Sequence, residues 1–157
     1  MELKRVVVTG LGAITPLGND VETTWTNAKE GVSGAGPITH FDASKFKTQF
    51  ACEVKGYNAA DHFDRKKERQ LDLYAQYALV AARQAVKDSG LDGEGIDHNR
   101  VGVIVAAGIG GLHTFEEEAG YYALTGEEKG PKYNPFFIPK MIADIASGHI
   151  SMEYGFH

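Results

Sequence analysis

One cysteine, Cys52, stands in a chain of 157 residues. An intramolecular disulfide is therefore excluded, and a lone thiol accords with a reducing compartment such as the cytoplasm. Cys52 lies in the apolar, strand-like stretch from Phe50 to Val54, and nothing nearby in sequence would depress its pKa. A buried, inert thiol is expected there rather than a nucleophile. Long apolar runs are absent as well. Val6 to Val8 is too short for a signal-peptide core, and no run approaches the length needed to cross a bilayer. Positive charge is short: the net charge of -5 gives no bulk attraction to nucleic acid or to an anionic membrane. The six histidines, His40, His62, His98, His113, His149 and His157, show no metal-ligand spacing. Repeats and low-complexity tracts are missing too. The expectation is a soluble cytoplasmic protein with no metal and no cofactor.

Hydrophobic residues make up 43% of the chain, enough for a true core, and charged residues 24%, ordinary for a globular domain. Glycine is over-used: 19 residues, about 12% against a usual value of roughly 7%. These glycines sit beside apolar runs, so they point to tight turns and close backbone contacts rather than to linkers.

Arg5 to Thr9 and Val101 to Ala107 are continuously apolar, as strands buried on both faces are. Asp20 is placed to cap a helix over Val21 to Lys29, with Gly31 just past its end. Arg65 to Ser89 reads as one long helix ended by Gly90. Its apolar stripe, Leu71, Tyr74, Ala75, Ala78, Ala81, Ala82 and Ala85, is mostly alanine, which lets another backbone come close. Helices are also expected over Leu112 to Leu124 and over Ile138 to Tyr154, the latter interrupted by Gly148. Pro131 to Pro139 reads as an irregular aromatic loop. Strands alternating with helices predict a layered α/β fold. Two long strands are too few for a complete sheet, so the chain is expected to be part of a larger fold.

Three motifs bear on chemistry. Gly10-Leu11-Gly12 follows the first strand-like run, as in a dinucleotide-binding turn. Thr15-Pro16 then stands where such a motif continues into a helix, and no acidic residue ends a strand at the spacing of a ribose ligand. A nucleotide turn and a purely structural turn both remain open. Gly108 to Gly111, between a strand and a helix, has backbone suited to line a cavity or receive an anion. Ile109 within it is bulky enough to press into an apolar pocket. Arg65, Lys66, Lys67 and Arg69 gather four cations in five residues at a helix start, where the macrodipole disfavours them. This points either to an anionic partner or to a solvated helix end. The stretch Asn134-Pro135-Phe136-Phe137-Ile138-Pro139 must bury its apolar side chains against its own core or another subunit.

Taken together, these pieces resemble the N-terminal portion of the β-ketoacyl-acyl-carrier-protein synthase II family, elongating condensing enzymes of fatty acid synthesis. The resemblance rests on Lys4 to Gly12 with Thr15 to Gly18, His40 to Asp42, the helix start Arg65 to Asp72, Asp88-Ser89-Gly90, Gly108 to Gly111, Asn134 to Pro139, and Ala146 to Gly155. It implies a thiolase-like, layered α-β-α-β-α fold, of which residues 1–157 form most of the N-terminal half. The implied activity is decarboxylative condensation of an acyl-enzyme with malonyl-carrier protein, in a homodimer that needs no cofactor. The catalytic cysteine, two histidines and lysine of that family fall beyond His157, so the chain alone is expected to be inactive. By the same resemblance, Ile109 gates the acyl pocket, and Phe137 and Ile138 reach across the dimer to close the partner's pocket. Arg65, Lys66 and Arg69 dock the acidic carrier protein, with Gln70 standing where some relatives carry a further cation. His149 occupies a structural position. A catalytically silent partner subunit is the alternative from another class, and a dinucleotide-binding domain the third.

Overall fold

The computed structural model describes residues 3–157; Met1 and Glu2 of the expected 1–157 span lie outside the described residues. The chain divides into two units, Met1–Asn58 with Val80–Leu91, and Ala59–Leu79 with Asp92–His157.

In the first unit, helix α1 (Val21–Lys29) starts as the sequence dictates. Asp20 is extended, and its carboxylate accepts from the Thr23 backbone N–H at 2.7 Å. Gly31 follows the helix in the left-handed region. Strands β1 (Gly36–Pro37) and β2 (Phe50–Ala51) form a short antiparallel pair, with Gly36 opposite Ala51. The ladder ends at Ala51, and Cys52 beyond it is exposed; the expectation of a buried thiol is corrected.

The glycine loop lies on the C-terminal part of helix α3 (Leu73–Ser89). A Cβ at Gly12 would stand 1.9 Å from the Ala81 carbonyl oxygen, and one at Gly10 2.4 Å from that of Ala85. The alanine stripe thus does what small side chains permit. Side chains of α3 fasten the loop further: Asp88 accepts from Leu11 N at 2.9 Å and Gln84 from Ala13 N at 3.0 Å. The preceding segment does not behave as a buried strand. It forms no strand and has no ladder partner among the described residues, with Val6 90% and Val8 80% exposed. A strand buried on both faces needs neighbours at its edges and a layer over each face, and the described residues of this unit supply neither.

In the second unit the long basic helix is broken. Helix α2 is only Arg65–Glu68, and the chain resumes as α3 at Leu73. The cause is Asp72. One carboxylate oxygen accepts from the Tyr74 N–H that opens α3, at 3.3 Å. The other accepts from Thr114 Oγ1 at 2.6 Å and from Thr114 N at 3.2 Å, at the start of helix α4 (Leu112–Lys129). α4 runs past the expected Leu124, through Gly120 and Gly126, to Gly130.

Before α4, residues 101–107 alternate: Val101, Val103, Val105 and Ala107 are half-buried, while Gly102, Ile104 and Ala106 are exposed. This is extended chain with one covered face, and Ile104 is 97% exposed on the other. The expected burial on both faces is again corrected, for want of a second layer among the described residues. The last helical stretch is two helices, α5 (Phe137–Met141) and α6 (Ile145–Tyr154), parted at 142–144 rather than at Gly148. The Tyr74 hydroxyl donates to the Ile142 carbonyl at this break, which also accepts from Ile145 N at 3.4 Å. Gly148 is an ordinary helical position, its missing side chain facing only Ile145 Cδ1 at 3.7 Å. α6 ends at Gly155 in the left-handed region, as expected. Leu71, Ala75, Leu79, Ala146, Ile150 and Phe156 form the core of this unit.

Candidate functional site

The basic helix and the aromatic segment both fall in the second unit. Four cations at a helix start oppose the macrodipole, and the local remedy is Asp64. It caps α2 by accepting from Lys67 N at 2.7 Å. One short helix then sorts the cations. Arg65, Lys66 and Arg69 are exposed, and with Gln70 and Phe136 they line an open cleft of about 400 Å³. No acidic side chain lines it. Such a surface has the charge to receive an acidic partner, and in Phe136 an apolar foothold.

Lys67 turns the other way. It is half-buried, its Nζ 3.4 Å from Nδ1 of His149 in α6. His149 is 8% exposed, and its Nε2 has no hydrogen-bond partner. Burial holds the imidazole below its usual pKa, the Lys67 charge adds to that, and Glu153 opposes both.

The Gly108 to Gly111 turn rests against the end of α5. Gly110 has φ +89°, and a Cβ there would stand 2.5 Å from the Met141 carbonyl oxygen. That carbonyl also accepts from Gly111 N at 2.9 Å. Both glycines are therefore required by close approach, not by an anion. Ile109 projects from this turn and is 68% exposed. On α5, Phe137 is half-buried in a stack, its ring centroid 5.7 Å from that of Tyr133 and 6.4 Å from that of Phe115. Ile138 is 55% exposed. The aromatic segment thus buries part of itself against α4 and leaves Ile138 and Phe136 bare. It is irregular to Phe136 and helical from Phe137, with Pro139 tolerated in the first turn.

Cys52 follows β2 and stands on no helix, so it lacks the dipole that activates a thiol nucleophile. No cluster of three potential metal ligands occurs among the described residues. No described helix is long and apolar enough to cross a membrane. The Gly10–Gly12 loop is filled by α3 backbone and leads into the Thr15–Gly18 turn, not into a helix start. The close α3 backbone accounts for both glycines, and no helix start follows the loop directly to receive a pyrophosphate, which counts against the dinucleotide reading. Sequence reasoning missed Phe136 as a neighbour of the basic patch, the inward turn of Lys67, and Asp72 as a shared cap. Only Phe136 left a signal, in the apolar run between two prolines.

Residues 3–157 match the profile of the family described as "Beta-ketoacyl synthase, N-terminal domain". The chain is 46% identical over 153 residues to "3-oxoacyl-[acyl-carrier-protein] synthase 2" of Staphylococcus aureus (strain N315), covering 97% of this chain and 36% of that protein. It is 44% identical over 156 residues to the protein of the same name from Vibrio harveyi, covering 99% and 37%. Among solved structures it resembles the ishigamide ketosynthase/chain length factor, with a TM-score of 0.80 and 30% identity over 96% of this chain and 37% of that one. It also resembles a complex of a type II polyketide acyl carrier protein with its ketosynthase, with a TM-score of 0.75 and 28% identity, covering 98% and 40%. The thiolase-like α/β fold class is that of these neighbours. The chain spans little more than a third of the length of these curated relatives.

Proposed function

Because the chain belongs to the β-ketoacyl synthase family, whose N-terminal domain it matches, we propose that it is the N-terminal part of a 3-oxoacyl-acyl-carrier-protein synthase II. The reaction is decarboxylative condensation: a thiolate takes the acyl group, malonyl-carrier protein loses CO₂, and the resulting carbanion attacks the acyl carbonyl. The observation that carries this reading is the 44–46% identity, over nearly the whole of this chain, to synthases of that name. On it, residues 1–157 form part of the first half of a thiolase-like domain, and the rest of the fold supplies the nucleophile and its partners. The 157-residue chain alone is inactive, since its one cysteine has neither the burial nor the helix position the chemistry needs.

Within this reading the residues take distinct roles. Arg65, Lys66 and Arg69 dock the acyl carrier protein, supported by their exposure around one acid-free cleft. Ile109 gates the acyl chain, and Phe137 and Ile138 line the pocket from the dimer side. The bare apolar surface of Ile109 and Ile138 accords with surfaces that a second half and a second subunit cover. The protein works as a homodimer in the cytoplasm. The test is condensation of acyl- and malonyl-carrier protein, followed by mass spectrometry. The full-length protein is expected to elongate the acyl chain and residues 1–157 to do nothing. Lys66→Glu and Arg69→Glu together are expected to weaken carrier binding at least about tenfold.

The alternative is a silent partner subunit, kept in view by the neighbour that joins a ketosynthase with a chain length factor. A glutamine in place of the cysteine at the nucleophile position, with no condensation, identifies that case.

A further inference from the structure

The stretch from Arg65 to Arg69, helix α2 and its C-cap, carries four cations in five residues, yet it shows solvent only three. The fourth, Lys67, is held by His149 across 3.4 Å. An ammonium only donates, so His149 Nδ1 accepts, and the single proton of the neutral ring sits on Nε2. A second proton has one place to go, Nδ1, where the Lys67 hydrogen bond now is. Protonation would set two cations face to face at that distance, one of them nine-tenths buried. The charged groups acting on the ring are Lys67 from α2 and Glu153 from its own helix; burial and Lys67 favour the neutral ring and Glu153 opposes them.

We propose that His149 is a proton-dependent latch that keeps Lys67 off the docking face while neutral and releases it when protonated. Nδ1 takes one proton from solvent, one hydrogen bond breaks, and no covalent bond changes. Lys67, on its flexible stem, then joins Arg65, Lys66 and Arg69 as a fourth docking cation. The inference rests on the reading of α2 as the carrier-protein surface and adds its regulation: docking strengthens as pH falls through the His149 transition.

The test uses the full-length protein, with the ring nitrogens of His149 followed by NMR and carrier-protein affinity measured between about pH 5 and 8 at low ionic strength. The expected ring is the Nε2–H tautomer, with a midpoint below the ordinary value of about 6.5. Lys67→Gln moves that midpoint up. Wild-type affinity rises about threefold across the transition, the scale of one exposed charge; His149→Gln and Lys67→Gln remove that rise beyond what acid does to the carrier itself. An Nδ1–H tautomer, an ordinary midpoint, or an unchanged pH slope in both variants overturns the latch. If His149→Gln does not fold, Lys67→Gln, on a short surface helix, decides alone. If Lys66→Gln leaves carrier binding unchanged at every pH, the docking reading has failed, and the latch is judged on the ring tautomer and the Lys67→Gln midpoint.

Discussion

Asp72 Oδ2 receives the Thr114 hydroxyl at 2.6 Å, joining residues 42 positions apart in a buried contact. The same carboxylate accepts from the Thr114 N–H and, through its other oxygen, from Tyr74 N. One side chain thus satisfies the amino ends of two helices, where partial positive charge gathers. It also breaks the basic stretch so that α2 stands as a separate short helix. Both groups are more than nine-tenths buried, so an unmatched partner is costly. Thr114→Val is expected to destabilise the protein by about 1–3 kcal/mol, and Thr114→Ser to restore most of the loss. Urea unfolding checks both; an unchanged midpoint for the valine variant would show the contact to be dispensable.

Gly12 and Gly148 make a paired test of close approach. A Cβ at Gly12 would overlap the Ala81 carbonyl, which is helix backbone and cannot step aside. Gly12→Ala is expected to cost about 1–3 kcal/mol or more. Gly148 sits mid-helix, where a Cβ would make only an ordinary contact with Ile145 Cδ1 at 3.7 Å. Gly148→Ala there should stabilise by about 0.5–1 kcal/mol. Thermal melts of the two variants should move in opposite directions.

The His149 ring also ties stability to pH. Its pKa in the fold lies below that of the free side chain, so the unfolded chain binds the proton more readily. The ring's contribution is fully present above about pH 6.5. It falls as pH drops from there to the folded value, and is constant below it. Denaturant midpoints measured from pH 8 to 5 should decline through that window, and less steeply in His149→Gln. Lys67→Gln, by raising the folded pKa, should narrow the window.

Ile104 is almost wholly exposed, and so are Val6 and Val8. Apolar extended segments without ladder partners invite association. The isolated 157-residue chain is expected to bind an apolar dye and to self-associate with rising concentration, as seen by light scattering. Ile104→Thr should reduce association while changing stability by less than about 0.5 kcal/mol, as at exposed sites generally. A monomeric chain at high concentration that excludes the dye would contradict this.

What could be read directly from the sequence was whatever depends on near neighbours. The Asp20 cap, the left-handed glycines Gly31, Gly90 and Gly155 that close helices, the alanine stripe of α3 and the order of the family's motifs were all plain. Each rests on one residue's conformational freedom or on a spacing of three or four. Contacts between distant residues decided the rest. Helical periodicity runs unbroken from Arg65 to Ser89, and only Thr114, far along the chain, shows why a new helix starts after Asp72. Tyr74 likewise explains a break before Asp144 that composition alone placed at Gly148. Burial was misjudged for Cys52, for residues 5–9 and for one face of residues 101–107, because an apolar run states what a segment tolerates and not what covers it. The local sequence set the elements and the chemistry each one carries. Which cations face solvent, which carboxylate caps two helices and which imidazole holds a lysine depended on tertiary packing, since each is a property of two segments meeting rather than of either one.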